Sequence, residues 1–494
     1  MTRPQPVDPA RAIVENAVPG VRVDAISIIP TSRLLKSFRV ILADGRTLLL
    51  TLSLPSSRLL RSEQWLMQSE AALVEWLVGD FAQAREEGTR YIDDKRLGRC
   101  PQGESSPRRW APHSASDSWS SRCDRLITYL PTLVKHSSCS AESGLTFSLF
   151  HPTSGDILSG IHEPLSQAEQ ASIHFQKGRL MQCIASIQSP NGRFGIPITV
   201  LGCPESPGRN AQKTARGHEL DLDGADSWKK TFHLLLEGVL RDGEDLAVAI
   251  SYERIRTTFH KFSHLLDAVK TPRLVVYDAD EDDNVLVSRV GKTPLEQERP
   301  EDKAREGPKM RSYPANTLNV SREEMDGNET TTIQITGLRD WSKSIFGDPL
   351  FATVFSHATP AFERGFRERR GNDIITNENN SIQKKEDKNN EAQKTSTLTD
   401  IIEDPINAPT RILLYECYHA TVSIVCQFCR PDTDSSRREI VARRRLTAAL
   451  AKLENVAVSA IGGGRQTSGK RARCPSREGP VKRPRGDTPS VRER

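Results

Sequence analysis

Along residues 21–54 the apolar positions fall on every second residue. Val21-Arg-Val-Asp-Ala-Ile-Ser-Ile-Ile and Ser37-Phe-Arg-Val-Ile-Leu both carry this alternation of a half-buried strand. The Ala43-Asp-Gly45 step ahead of Arg46-Thr-Leu-Leu-Leu-Thr-Leu predicts a tight hairpin, and the stretch as a whole predicts a small antiparallel sheet of three strands. From Ser62 the period changes to that of a helix. Leu66, Leu73, Val74 and Leu77 share one face, Ser62 is placed to cap the start and Gly79 to stop the end. Helical stripes recur at 166–187, where Ser166 and Glu169 have capping-box spacing, at 228–241 and at 252–268. Two closing helices are predicted at 409–429 and 436–455. A small β-rich part precedes a larger helical one.

Four stretches break the pattern. Residues 86–123 are rich in Ser, Arg and Pro, 204–226 and 291–331 are polar, and 370–399 are of low complexity, so all four are predicted to be disordered inserts. The domain map that follows is a flexible N-terminus over 1–19, a first lobe over 20–135, a helical lobe over 136–458 and a basic tail over 459–494.

At 494 residues and 36% hydrophobic content the chain can bury a sizeable core. The net charge of +5 is unevenly placed: residues 460–494 carry +7, which leaves −2 on the rest. A globally basic nucleic-acid-binding body is thereby disfavoured. Lys470–Arg473 and Lys482–Arg485 form two basic clusters, readable as a nuclear-localisation signal, as a phosphate-binding arm, or as a solubilising end. Nucleic acid would be met only through this tail, and without an aromatic between the clusters base stacking is not expected. No run approaches the ~18 apolar residues of a membrane span, and three prolines in the first nine residues replace any signal-peptide core. The expectation is an intracellular protein, cytoplasmic or nuclear, with no membrane partner. Nine scattered cysteines fit reduced thiols, and Cys426-Gln-Phe-Cys429 reads as two cysteines on a helix face rather than a zinc site. H-E-x-x-H and G-x-S-x-G are both absent.

Two segments concentrate chemistry. In Pro272-Arg-Leu-Val-Val-Tyr-Asp278-Ala-Asp-Glu-Asp-Asp-Asn284 an apolar run enters a loop with carboxylates at Asp278, Asp280, Glu281, Asp282 and Asp283. Oxygen ligands in such number suit a hard divalent cation, although an acidic turn on the surface has the same composition. Further on, Thr332-Ile-Gln-Ile-Thr-Gly337-Leu-Arg-Asp340-Trp341 is a short strand ending in a carboxylate, followed by Gly347-Asp348-Pro. Two strand-end carboxylates and an asparagine could hold magnesium on nucleotide phosphates, and phosphoryl transfer asks mainly for such positioning and neutralisation. Asp348 is expected to be structural, holding a helix start.

In this order — small sheet, glutamate-bearing helix, helical lobe, acidic D…N loop, I-T-G-x-x-D-W…G-D-P — the chain resembles the aminoglycoside-phosphotransferase-like (kinase-like) family, especially its fungal group. The resemblance spans about 20–80 and 125–365, with Ile335–Leu350 its most specific part. It implies an α+β, two-lobed protein-kinase-like fold, with a small antiparallel β N-lobe, a mainly helical C-lobe and ATP with Mg²⁺ between them. It implies Asp278 as catalytic base, Asn284 and Asp340 as metal ligands, and Glu70 as the helix glutamate that pairs with a strand lysine.

The departures are specific. Val276 stands where the family's H-x-D-x-x-x-x-N pattern has histidine, and Asp278 lies six residues before Asn284 rather than five, which makes Asp280 a fallback base. Thr51 stands at the strand lysine that would touch the nucleotide, with Arg46, Arg58 and Arg61 as candidate replacements. No glycine occupies the first hairpin, Pro30-Thr-Ser-Arg-Leu-Leu-Lys-Ser-Phe. Two readings follow. One is an ATP/Mg-dependent phosphotransferase acting on a hydroxyl-bearing small molecule, with impaired catalysis. The other is a pseudo-kinase scaffold carrying a nuclear-targeting tail.

Overall fold

The computed structural model describes residues 7–29, 34–53, 58–80, 126–138, 145–202, 224–290, 332–368 and 401–462. The inserts at 86–123, 291–331 and 370–399, most of 204–226 and both basic clusters of the tail lie outside the described residues.

Strands β1 (Val23–Ile28), β2 (Lys36–Leu42), β3 (Thr47–Ser53), β4 (Thr132–Ser137) and β5 (Thr146–His151) form one antiparallel sheet in the order β1-β2-β3-β5-β4. The β2–β3 hairpin turns at the anticipated Asp44-Gly45. Gly45 takes φ +83°, a region L side chains disfavour, and Asp44 Oδ1 accepts from the Arg46 amide at 3.0 Å. The sheet has five strands rather than the three predicted. Alternation in Thr146-Phe-Ser-Leu-Phe puts Phe147 and Leu149 on one face, with β5 pairing along β3. The sheet thus extends past residue 135, where the sequence reading closes the first lobe.

Helix α1 (Val7–Ala17) corrects the flexible N-terminus expected over 1–19. Ala10, Ile13 and Val14 form a short stripe at i, i+3 and i+4, buried against Phe38, Val40, Leu48, Leu50 and Leu149 on the outer face of the sheet. Helix α2, helical at 66–80, packs its Leu73, Val74 and Leu77 into the main core. Ser62 does not cap it: Arg61–Glu63 forms a separate 3₁₀ turn, with Glu63 Oε2 accepting from the Leu60 amide at 2.8 Å. Gly79 does not stop it either.

The helical lobe comprises α3 (Gln167–Ala185), α4 (Pro197–Leu201), α5 (Trp228–Asp245), α6 (Tyr252–Phe262), α7 (Pro360–Arg367), α8 (Ala408–Cys429) and α9 (Ser435–Gly462). The capping box of α3 forms as read, Ser166 Oγ accepting from Glu169 N and Glu169 Oε2 from Ser166 N. The stripe at 252–268 divides at Phe262 into α6 and a 3₁₀ segment, Ser263–Ala268. Gly178 and Gly365 let α3 and α7 touch: a Cβ at Gly178 would sit 2.2 Å from Phe362 O, and one at Gly365 2.0 Å from Phe175 O. Helix α8 has the length and mean hydropathy (1.3) to cross a membrane. Its Leu414, Tyr415, Tyr418, Ile424 and Val425 are buried in the main core, where it serves as the central helix of this lobe. Cys426 and Cys429 do lie on this helix, half-buried and buried, and burial pushes the Cys426 thiol up to about 12.

Two small sheets contribute to the main core. Strands β6 (Asp156–Ile157), β8 (Val285–Val290) and β9 (Thr332–Leu338) form one in the order β6-β8-β9, and β7 (Arg273–Val276) pairs with β10 (Ser344–Gly347) in the other. The architecture is two-lobed α+β: an antiparallel sheet with flanking helices, then a mainly helical lobe.

Candidate functional site

Strand pairing brings the two acidic segments together. Residues 277–284 connect β7 to β8, and residues 339–343 connect β9 to β10. Because β7 pairs with β10 while β8 pairs with β9, the two connections must run side by side. Backbone bonds seal both ends: Tyr277 N donates to Lys343 O at 3.1 Å, and Arg339 N to Asn284 O at 2.9 Å. Two turns with the long 291–331 insert between them in sequence are thus adjacent in space.

Asn284 bridges them. It is fully buried, its Nδ2 donating to Asp278 Oδ1 (3.3 Å) and Asp340 O (3.0 Å), while its Oδ1 accepts from Asp340 N at 3.0 Å. Half-buried Asp340 folds its turn around its own carboxylate, Oδ1 accepting from Ser342 N at 2.7 Å. Glu70, on α2, is buried and accepts from the Trp341 amide at 2.8 Å. The predicted Asp278, Asn284, Asp340 and Glu70 therefore converge, and the glutamate reads the backbone next to Asp340. Asp278 is only 1% exposed, and its Oδ2 lies 3.2 Å from Lys343 Nζ. Val276, at the family's histidine position, is buried in the core.

Thr51 is buried on the inner face of the large sheet, with Ser37 and Ser148 as its register partners on β2 and β5. His136 Nδ1 lies 2.8 Å from Ser148 Oγ, and buried Arg339 reaches over from the Asp340 turn to donate from Nη2 to Ser37 Oγ at 3.5 Å. A row of hydroxyls thus occupies the face where the resemblance expects a lysine, and the cation near it comes from the opposite lobe. Arg46 pairs with Asp44 at the exposed hairpin, and Arg61 with Asp242 and Asp245 on α5. Both guanidiniums are engaged away from Thr51. The Arg58 carbonyl accepts from Arg430 Nη1 at 2.7 Å.

Asp280, the fallback base, turns its carboxylate to other partners. Oδ1 accepts from Thr353 Oγ1 at 2.9 Å and Oδ2 lies 3.2 Å from His357 Nε2. Beneath the loop, buried Lys177 donates to Asp280 O at 2.6 Å and to Asp282 Oδ1 at 2.8 Å. Sequence reasoning missed Lys343, Arg339, Lys177 and His357. Arg339 and Lys343 carried a usable signal, as the two basic residues on either side of Asp340-Trp341. Lys177 and His357 carried none, because only the helix packing brings them to the loop.

Asp348 has the structural role expected of it. Its Oδ1 accepts from the Leu350 amide (3.1 Å) and starts the 3₁₀ turn Pro349–Phe351, while Oδ2 receives Arg411 Nη1 and Tyr415 Oη, each at 2.7 Å. A cavity of about 20 Å³, lined by Ser62, Ser69, Tyr277, Ser342 and Tyr418, lies under the Asp340 turn. It has the size of one water molecule, not of a nucleotide. Among the described residues no group of three or more His, Cys, Asp and Glu side chains is arranged to hold a metal ion.

No protein-family model matches the chain, and no curated protein matches it. Solved structures similar to it include a candidate fructosamine-3-kinase from Thermobifida fusca YX-ER1, at 11% identity over 89% of this chain and 98% of that one, with TM-score 0.39. A candidate aminoglycoside phosphotransferase from Ralstonia eutropha JMP134 matches at 9% identity, 91% and 98% coverage and TM-score 0.42. A GDP complex of an aminoglycoside 2'-phosphotransferase-IIIa variant matches at 12% identity, 92% and 98% coverage and TM-score 0.38. At these values the likeness assigns no activity and no substrate to this chain.

Proposed function

We propose that the chain is a phosphotransferase of the small-molecule-kinase type, binding ATP with Mg²⁺ between its lobes. The observation that carries this reading is the Asn284 bridge, which fixes Asp278 and the Asp340 turn in one corner. Magnesium on a nucleotide needs only one or two protein carboxylates beside the phosphate oxygens. Asp340 suits that need, being half-buried at the end of a strand with Oδ1 fixed by Ser342 N. Asn284 is buried with both ends of its amide bonded, so in this reading it positions the turn rather than offering an oxygen to the metal. When bound, magnesium would neutralise charge on the transferring phosphoryl group. Glu70 holds the Trp341 amide, and with it the direction of Asp340. Lys343 and Arg339 bring positive charge to this corner, in place of the lysine that Thr51 replaces.

A pseudo-kinase that keeps the fold as an interaction scaffold is the second reading, favoured by Thr51 and by the closure of Asp278 against Lys343. In the same proposal the acceptor is a hydroxyl-bearing small molecule, the basic tail directs the chain to the nucleus, and the chain groups with the fungal members of the family it resembles.

The test is thermal unfolding with and without millimolar Mg²⁺·ATP. A ligand selective for the folded state at a hundred times its dissociation constant adds about 2.7 kcal/mol, so the melting temperature should rise, and Asp340→Ala should abolish the rise. An unchanged melting temperature for the wild-type chain would refute the phosphotransferase reading and favour the scaffold.

A further inference from the structure

Resting on the phosphotransferase reading, we infer that His357, held by Asp280, is the base that takes the proton of the acceptor hydroxyl. Asp278 is poorly placed to do so. It is 1% exposed, with Asn284 Nδ2 on one oxygen and the Lys343 ammonium on the other. A carboxylate so neutralised and shielded offers little to an incoming hydroxyl. Two residues along the same loop, the arrangement is the reverse. The Asp280 side chain is 10% exposed and the His357 ring 62% exposed, so a nearly buried anion holds an imidazole that faces solvent.

The rest of the corner fixes this pair. Thr353 Oγ1 binds Asp280 Oδ1 at 2.9 Å, and the Thr353 amide donates to Tyr277 O at 3.0 Å, tying the segment before His357 to the acidic loop. Lys177 holds the loop from below through Asp280 O and Asp282 Oδ1. His174 shares the corner; burial and the nearby Lys177 charge hold its pKa below the usual imidazole value. With Nε2 directed at Asp280 Oδ2, the carboxylate favours the tautomer protonated at Nε2, and Nδ1 keeps its lone pair. The Cα atoms of Asp278 and Asp280 can be no more than about 7.6 Å apart, so the loop that carries Asp278 to the Asn284 bridge also carries the carboxylate that holds His357.

In the proposed step the acceptor oxygen bonds to the γ-phosphorus of ATP as the bond from that phosphorus to the β–γ bridging oxygen breaks. ADP leaves with the electron pair, and the hydroxyl proton passes to His357 Nδ1. Asp280 stabilises the imidazolium and does not itself take the proton. His357 is thus the catalytic residue and Asp280 a positioning residue.

The experiment is single-turnover release of ADP from Mg²⁺·ATP by the full chain, with water as the acceptor and nucleotide affinity measured in parallel. His357→Ala should slow release about 100-fold with nucleotide affinity unchanged. Added imidazole should restore part of the rate, since the site lies open to solvent. Asp280→Asn should also slow release, but without rescue by imidazole. A merely structural histidine would give no rescue. An unaltered rate in His357→Ala, or a loss that imidazole does not restore in both His357→Ala and His357→Gln, overturns the inference and leaves the phosphotransferase reading standing. Nucleotide binding with no ADP release by the wild type also overturns it. Absence of nucleotide binding overturns the phosphotransferase reading and, with it, the inference.

Discussion

Asp348→Asn should be strongly destabilising. Asp348 and Arg411 are 1% and 0% exposed by side chain, with Nη1 and Oδ2 2.7 Å apart. Asparagine keeps an oxygen for the Leu350 amide but removes the charge. Arg411 is then left with the Glu403 and Asp404 carbonyls and no anion. Arginine cannot shed its proton, so the uncompensated charge should cost about 3–5 kcal/mol, a large share of a typical stability of about 5–15 kcal/mol. Arg411→Met should cost less, because the carboxyl has an escape. Burial already pushes the Asp348 pKa up, and without the guanidinium it can stay protonated. An acid whose folded pKa is raised loses stability as pH rises above its unfolded value, so Arg411→Met should weaken from about pH 4 upward. The assay is urea unfolding followed by tryptophan fluorescence. Trp228 reports locally, since its Nε1 donates to Tyr415 Oη at 2.8 Å. The double variant Asp348→Asn/Arg411→Met should be more stable than Asp348→Asn alone. Losses that simply add, or an Asp348→Asn cost below about 1 kcal/mol, would refute the reasoning, since no unpaired charge would then be at issue.

Two further outcomes can be checked by similar means. Gly347→Ala would place a Cβ 2.3 Å from Trp228 Cζ3, inside a fully buried ring, so unfolding free energy should fall by about 1–3 kcal/mol with a changed near-UV spectrum. His419 donates from Nε2 to Phe351 O at 2.8 Å, and burial lowers its pKa to about 4 from 6.5. The unfolded chain then binds the proton first, so stability should fall as pH drops from 6.5 towards 4, by at most about 3 kcal/mol. Water around this half-buried ring reduces the effect, and His419→Gln should flatten the pH dependence.

The sequence by itself determined the local elements. Alternation in Ser37-Phe-Arg-Val-Ile-Leu, the Asp44-Gly45 turn, the Ser166–Glu169 box and the stripe of α5 depend on neighbours within a few residues, and they form as read. It also showed which polar residues flank strands, and so pointed to Asp278, Asn284 and Asp340 before any of them had a neighbour; Glu70 came only with the family resemblance. Elements whose reason lies far along the chain were hidden. The short stripe of α1 is stable only against the sheet, and β5 joins that sheet only by pairing with β3, as β4 does by pairing with β5. Ser62 and Gly79 had the right chemistry for caps, but Glu63 takes the Leu60 amide and Gly79 lies within the helix.

Only tertiary structure decided which partner each charge in the corner meets. Spacing showed five carboxylates in a loop, but whether each faces solvent, a lysine or a histidine depends on which helices and turns pack there. Lys343 closes Asp278 because β7 pairs with β10, and His357 meets Asp280 because the turn begun at Asp348 carries it back over the loop. Thr51 looked like a simple loss in the sequence. In the fold it sits in a row of hydroxyls near a buried arginine from the other lobe, since a cation can be supplied by whichever segment lies closest in space.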